Sequence, residues 1–169
     1  MRQAAATHFH DAERFAFLGE LRAHWREIHA EYQGVRPYLI DWFERELYGE
    51  GWQVYGLFDF PHGRPIAGNV ERCPLTARLV AQHVPGHGAA GFSVLRPGTR
   101  IQPHSGYQGR FLRCHLGLSV PDGDCGLRVG GETRAWREGE ALVLDDRVEH
   151  EAWNMTAHER VVLLVDFVP

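Results

Sequence analysis

A chain of 169 residues with 44% hydrophobic content has enough apolar material for one core, and its length fits a single domain over residues 1–169. A formal net charge of −4 gives no general attraction to nucleic acid. No apolar run approaches a membrane helix, the first fifteen residues lack the continuous apolar stretch of a secretory leader, and Cys73, Cys114 and Cys125 are odd in number without CxxC spacing. The expectation is a cytoplasmic protein with no nucleic-acid or membrane partner; nothing in the sequence speaks to its oligomeric state.

Residues 11–50 read as helical support. Phe15, Leu18, Leu21, Trp25, Ile28 and Tyr32 recur at spacings of three and four, one stripe of an amphipathic helix that Gly34 and Pro37 end. A second short helix is expected over Tyr38–Tyr48, with Leu39, Trp42, Phe43 and Leu47 packed on the core rather than serving a ligand. From residue 52 onward the pattern turns to strands. Trp52–Phe60 is rich in Val, Tyr and Phe. Cys73–Val84 reads as one more helix with Pro74 in its first turn. Short apolar runs then follow at Gly91–Leu95, Arg110–Val120, Gly126–Val129, Ala141–Leu144, His150–Trp153 and Arg160–Val168. Turn residues such as Pro97-Gly98, Pro121-Asp122-Gly123 and Gly130-Gly131 divide them. Helices first and many short strands after predict a mainly β protein, a barrel or jelly roll braced by N-terminal helices.

The polar groups that interrupt these strands carry the chemistry. Arg113 and His115 are two apart on one strand, so they share a face, and together inside a barrel they suit an anion. A buried guanidinium requires a partner. His104 and His150 lie on separate strands, where two imidazoles can converge on a metal from opposite walls. The eleven histidines make a metal worth considering, but spacing alone does not establish one, because no compact HxxxH motif is present.

From Gly91 to Pro169 the chain resembles the catalytic domain of aspartyl/asparaginyl β-hydroxylases. The resemblance rests on Phe92-Ser93, Pro97-Gly98-Thr99, His104-Ser105-Gly106, the run from Arg110 to Leu118, Trp136-Arg137-Glu138-Gly139, Asp145-Asp146, Glu149-His150-Glu151, Trp153-Asn154 and Arg160 with Asp166. It extends weakly to Trp52 and to Asn69 and Cys73-Pro74. It implies a double-stranded β-helix (a cupin-like jelly roll) over 52–169, and an enzyme that couples oxidative decarboxylation of 2-oxoglutarate to hydroxylation of a C–H bond with Fe(II) and O₂. Residue by residue, it implies that His104 and His150 hold iron. Arg160 and Ser93 bind the distal carboxylate of 2-oxoglutarate, Arg113 and His115 lie near its keto-acid end, and Arg110 lies near the substrate.

Imidazole ligands suit Fe(II), and a bidentate arginine suits a dicarboxylate. Most oxygenases of this type add a carboxylate in a His-x-Asp pattern, but here the third position is Gly106; a glycine there is typical of the family resembled, and a water can fill the vacancy. An aspartate at 106 would restore the three-ligand pattern on paper and predicts tighter iron binding. Asp145, Asp146 and Glu149 are either groups that orient His150 or turn carboxylates at the surface. The expected substrate is an amino acid, free or in a peptide, with the β-carbon of Asp or Asn foremost; acyl chains of membrane lipids are the other class that relatives use. Two readings from other classes remain open: a non-catalytic cupin-like module that binds an anion or a metal, and a zinc protein, which two ligands serve poorly.

Overall fold

A computed structural model describes residues 8–106 and 109–169; Met1–Thr7, on which part of the leader reading falls, lies outside them. The N-terminal region supplies β1 (Phe9–His10), α1 (Leu18–Ala23) and α2 (Trp25–Val35). The predicted single helix is therefore two. It breaks at His24, whose φ of −110° leaves the helical range, while Leu21 and Ile28 on either side both remain buried. One hydrophobic stripe can be shared by two consecutive helices, so periodicity alone does not reveal the break.

The expected helix over Tyr38–Tyr48 is absent. In its place are an edge strand, β2 (Ile40–Asp41), and a 3₁₀ turn at Arg45–Leu47. Ile40 pairs opposite Val54 and Asp41 opposite Gln53 on β3 (Trp52–Phe58), and Trp42 donates its N–H to the Trp52 carbonyl. Two short helices follow, α3 (Asn69–Arg72) and α4 (Pro74–His83). Glu31 of α2 caps α4 from outside. Its carboxylate accepts the backbone N–H of Leu75 at 3.0 Å and of Thr76 at 2.7 Å, where orphan donors and the helix dipole favour a negative charge.

The remaining strands are β4 (Ala90–Leu95), β5 (Thr99–His104), β6 (Leu112–Ser119), β7 (Cys125–Val129), β8 (Glu132–Arg134), β9 (Ala141–Leu144), β10 (His150–Asn154) and β11 (Arg160–Phe167). They build two antiparallel sheets, β1-β9-β6-β11-β4-β3-β2 and β5-β10-β7-β8, the facing pair of a jelly roll. One apolar cluster lies between the helices and the larger sheet, with Leu21, Ile28 and Tyr32 against Leu116, Leu163 and Phe167. The other lies between the two sheets and includes Trp52, Leu95, Ile101, Leu127, Trp136 and Val162.

Strand alternation explains how one strand serves both clusters. On β11, Val161, Leu163, Val165 and Phe167 face the helices, and each buried side chain contributes roughly 1.5–3 kcal/mol. Val162 faces the barrel interior, and Arg160 and Asp166 share its parity. The interior of the barrel is therefore where this strand places its two charges.

Candidate active site

His104 ends β5 and His150 begins β10, and the two residues are direct partners across that antiparallel pair. They are neighbours in the smaller sheet, not on opposite walls: in antiparallel pairing the end of one strand meets the start of the next. Their ring centroids are 4.5 Å apart. Each Nδ1 lies on a backbone carbonyl, His104 on Gln102 at 2.8 Å and His150 on Val148 at 2.7 Å. A carbonyl only accepts, so Nδ1 carries the proton in both rings and Nε2 keeps its lone pair. That is the tautomer in which an imidazole serves as a metal ligand oriented by its other nitrogen. Burial pulls the His104 pKa down, which favours the neutral form that binds metal.

Asp146 completes this end of the site. Its Oδ1 is 3.1 Å from His150 Nε2 and accepts from Arg113 Nη1 at 3.1 Å. With Nδ1 protonated, Nε2 and Oδ1 are two lone-pair atoms in contact, an arrangement that a shared proton or a cation relieves. Burial works to raise the Asp146 pKa, but the charge of Arg113 holds the carboxyl well below its usual range. Of the three carboxylates in this stretch, only Asp146 reaches the site. Asp145 pairs with Arg147 and Glu149 with Arg128.

Arg113 has its required partner within the chain. Its Nε donates to Asp166 Oδ1 at 2.7 Å and its Nη2 to Asp166 Oδ2 at 3.0 Å, besides the contact with Asp146. Asp166 and Arg113 are cross-strand partners on β11 and β6. Burial opposes the Arg113 charge, yet the two aspartates raise its pKa above the ordinary arginine value. The sequence expectation of an arginine open to an external anion does not hold for this residue. Two carboxylates and one guanidinium leave a net negative charge beside the paired imidazoles, which suits a cation there.

The complementary anion site is built around Arg160. Its residue is 2% exposed, and its Nη2 donates to the Ser93 carbonyl and to Ser93 Oγ, each at 3.2 Å. The guanidinium carbon lies 4.5 Å over the Trp136 ring. Its Nε is the one buried side-chain polar atom without a hydrogen-bond partner among the described residues. Among the described residues no carboxylate compensates it, and burial pulls its pKa down to about 10. The group stays charged, since arginine does not deprotonate in proteins. A buried guanidinium with an unpartnered Nε fits a ligand carboxylate. Ser93 Oγ also accepts from Trp52 Nε1 at 3.0 Å, so its own proton remains to be donated.

His115 lies between these two regions. Its Nδ1 accepts from Trp136 Nε1 at 3.1 Å, which leaves the proton on Nε2. Burial, followed by the charges of Arg160 and Arg113, pushes its pKa well below 6.5, so the ring is a neutral donor. Trp136 thus orients His115 through its N–H and supports Arg160 through its face. It and Asp166 fall within the motifs that carry the family resemblance, but sequence reasoning gave neither a role. Arg110 lies exposed in the bend before β6 and enters none of the hydrogen bonds or ion pairs of this cluster among the described residues. No group of three or more His, Cys, Asp or Glu side chains is arranged to hold a metal among the described residues. None of the described helices is long and apolar enough to cross a membrane.

The chain is similar to several known proteins. A family model, aspartyl/asparaginyl beta-hydroxylase, matches residues 22–169. The ornithine lipid ester-linked acyl 2-hydroxylase of Rhizobium tropici is 43% identical over 119 residues, covering 69% of this chain and 41% of that protein. The aspartyl/asparaginyl beta-hydroxylase of Mus musculus is 42% identical over 79 residues, covering 47% of this chain and 11% of that protein. The chain thus spans less than half the length of these curated relatives. In fold it is similar to a prolyl-4-hydroxylase from Pseudomonas putida, with a TM-score of 0.62, 17% identity and 86% of each chain covered.

Proposed function

The chain belongs to the aspartyl/asparaginyl β-hydroxylase family, and from that premise we propose that it is an Fe(II)- and 2-oxoglutarate-dependent hydroxylase. The observation that carries this reading is the pairing of two oppositely charged features in one barrel. One is a pair of imidazoles presenting Nε2 beside an anionic cluster; the other is a buried guanidinium with an unsatisfied Nε and no carboxylate. A metal cation and a dicarboxylate answer both.

In this reading His104 and His150 hold iron through Nε2. Arg160 takes the distal carboxylate of 2-oxoglutarate, with the Ser93 hydroxyl donating beside it. His115 donates Nε2–H toward the keto-acid end. Arg113 acts by fixing Asp146 against His150 and by anchoring Asp166, which makes it a positioning residue. When bound, iron supplies the oxidising chemistry: one atom of O₂ enters the substrate C–H bond, the other enters succinate, and CO₂ leaves from 2-oxoglutarate. The protein's own contribution is to orient the reactants and keep water out.

The substrate is an amino acid, free or within a peptide, with the β-carbon of Asp or Asn foremost. A second reading is an acyl chain of a lipid, as in the name of the Rhizobium tropici relative, and the apolar side chains exposed beside the site favour it. The test is anaerobic reconstitution with Fe(II), then O₂ and 2-oxoglutarate, with mass spectrometry of amino acids, peptides and acyl lipids for the gain of one oxygen. A non-catalytic module would form no succinate under any of these conditions.

A further inference from the structure

Trp136 lies in the segment 135–140, which crosses from β8 to β9 and so from the smaller sheet to the larger. The crossing lies directly on β6. Gly139 donates to the Gly117 carbonyl at 2.9 Å, and Gly117 donates to the Glu140 carbonyl at 3.0 Å. A methyl group on Gly117 would overlap the Arg137 carbonyl, so this close approach needs a glycine. Glu138 accepts the Val120 N–H at 3.2 Å and fastens the crossing to the turn after β6. Trp136 itself is 2% exposed and belongs to the cluster between the two sheets. The crossing thus delivers one indole into the barrel and holds it there.

The indole flanks the candidate cosubstrate site from end to end. Its N–H meets His115 at 3.1 Å, and its face lies 4.5 Å from the Arg160 guanidinium carbon. It also faces outward. Between the crossing and the turn from β6 to β7 is a cleft of about 560 Å³, whose walls include Trp136 and Cys125. The exposed residues Asp122, Arg137 and Glu138 line the same cleft, so it is open to water. Cys125 begins β7, is 7% exposed and belongs to the same cluster between the sheets. The charge of Arg160 acts on its thiol. Both of these walls therefore have the cleft on one side and Arg160 on the other. Arg160 cannot retreat, because its Nη2 is held on the Ser93 carbonyl and hydroxyl.

We propose that Trp136 and Cys125 set the length of the 2-oxo diacid that this barrel accepts, by walling Arg160 off from the cleft behind them. The inference rests on the hydroxylase reading above, in which the diacid spans from Arg160 to the paired imidazoles, and it adds which diacids fit. With both ends of that span fixed, the site has one length. Five-carbon 2-oxoglutarate fills it, and six-carbon 2-oxoadipate brings a methylene for which a densely packed interior has no room. One methylene in a closed pocket discriminates by about 10- to 200-fold. A breach in the wall gives that methylene the cleft to enter.

The experiment is calorimetric titration of the full chain with 2-oxoglutarate and with 2-oxoadipate. An inert divalent ion is present and O₂ is excluded, so binding is read without turnover. The quantity compared is the ratio of the two dissociation constants. In the wild type 2-oxoadipate should bind about tenfold or more weakly than 2-oxoglutarate. Trp136→Ala should weaken both diacids, since His115 and Arg160 lose their support, but should bring the two constants within about threefold of each other, under 1 kcal/mol. Cys125→Ala opens the wall from its other side, keeps both Trp136 contacts and should lower the ratio in the same direction. If Trp136→Ala does not fold, Trp136→Leu, which fills part of the same space, takes its place. A merely structural role would weaken both diacids equally and leave the ratio unchanged. An unchanged ratio in the Trp136 variant, or equal binding of the two diacids by the wild type, overturns the proposal; an unchanged ratio in Cys125→Ala alone overturns the part given to Cys125. Failure of the wild type to bind either diacid would remove the hydroxylase reading together with the wall. Tight 2-oxoglutarate binding with an unchanged ratio removes the wall alone.

Discussion

The carboxylate of Asp146 occupies the space that a side chain at Gly106 would need: a methyl group placed on Gly106 overlaps Asp146 Oδ2 and Cγ. The two segments are also tied by a hydrogen bond from the Gly106 N–H to the Asp146 carbonyl at 2.8 Å. The glycine of His104-Ser105-Gly106 is thus a clearance for a carboxylate that arrives from the other side, held by Arg113.

That relationship reverses the expectation for residue 106. Gly106→Asp would add a third carboxylate ligand on paper, yet the new side chain meets Asp146. We predict that Gly106→Ala lowers stability by about 1–3 kcal/mol. Gly106→Asp should weaken iron binding, not tighten it, because the displaced Asp146 releases Arg113 and disturbs the space beside His150 Nε2. Coupling Gly106→Asp with Asp146→Gly removes the clash and should recover iron affinity relative to Gly106→Asp alone. Anaerobic calorimetric titration with Fe(II) and chemical denaturation measure both quantities. Tighter binding by the single Gly106→Asp variant would show that Asp146 does not hold that space.

Trp136 supports two groups by different means, and substitutions can separate them. Trp136→Phe removes the N–H that fixes His115 but keeps a ring beneath Arg160. Losing one hydrogen bond of this kind costs about 0.5–1.5 kcal/mol, about two- to thirteen-fold in 2-oxoglutarate affinity. Trp136→Leu also removes the ring face, a further loss of roughly 1–2 kcal/mol for a desolvated guanidinium. The expected order of 2-oxoglutarate dissociation constants is wild type, then Phe, then Leu. Equal constants for all three would leave Trp136 a simple packing residue.

His115 gives the metal-free fold a pH dependence whose sign follows from its burial. In the unfolded chain its imidazole takes a proton near pH 6.5; in the folded protein burial and the two arginines keep it neutral to much lower pH. The unfolded state therefore binds more protons between those two values. Stability attributable to this residue is complete above pH 6.5 and falls as the pH drops below it, by up to about 1.4 kcal/mol per pH unit. His115→Gln, which can still accept from Trp136, should flatten the fall by that amount. The check is the difference in denaturation free energy between wild type and variant from about pH 7.5 to about pH 5. A difference that does not change with pH would mean His115 is charged or solvated in the folded state.

Much of the β core is legible in the sequence because alternation and turn residues agree: β6, β10 and β11 fall where Arg110–Val120, His150–Trp153 and Arg160–Val168 are expected. β5 is harder to see. Its Arg100, Gln102 and Pro103 are exposed, so it is not among the apolar runs expected as strands, although it ends in a candidate ligand. The segment Tyr38–Tyr48 misleads in the opposite sense. Leu39, Trp42, Phe43 and Leu47 have helical spacing, but the chain there pairs with β3 and leaves Phe43 outside. At the site, the family resemblance carries the identities of His104, His150, Arg160 and Ser93. The contacts among Arg113, Asp146 and Asp166 depend on the register of β6 with β9 and β11, which no local pattern encodes. The same register makes Arg113 internally paired and Arg160 not.

The central claim, that this barrel binds 2-oxoglutarate across a buried arginine, is tested most directly by 2-oxoglutarate dissociation from Arg160→Ala. The measurement is made with Fe(II) or an inert divalent ion and without O₂. Removing a charge-assisted contact to a buried carboxylate costs roughly 2–4 kcal/mol, so affinity should fall about 30- to 700-fold. Iron binding should change little, since Arg160 contacts Ser93 and Trp136 and neither imidazole. Arg160→Lys should recover only part of the loss, because an ammonium lacks the planar fork. A dissociation constant for Arg160→Ala within about threefold of wild type, under 1 kcal/mol, would contradict the account and leave the unsatisfied guanidinium without a ligand.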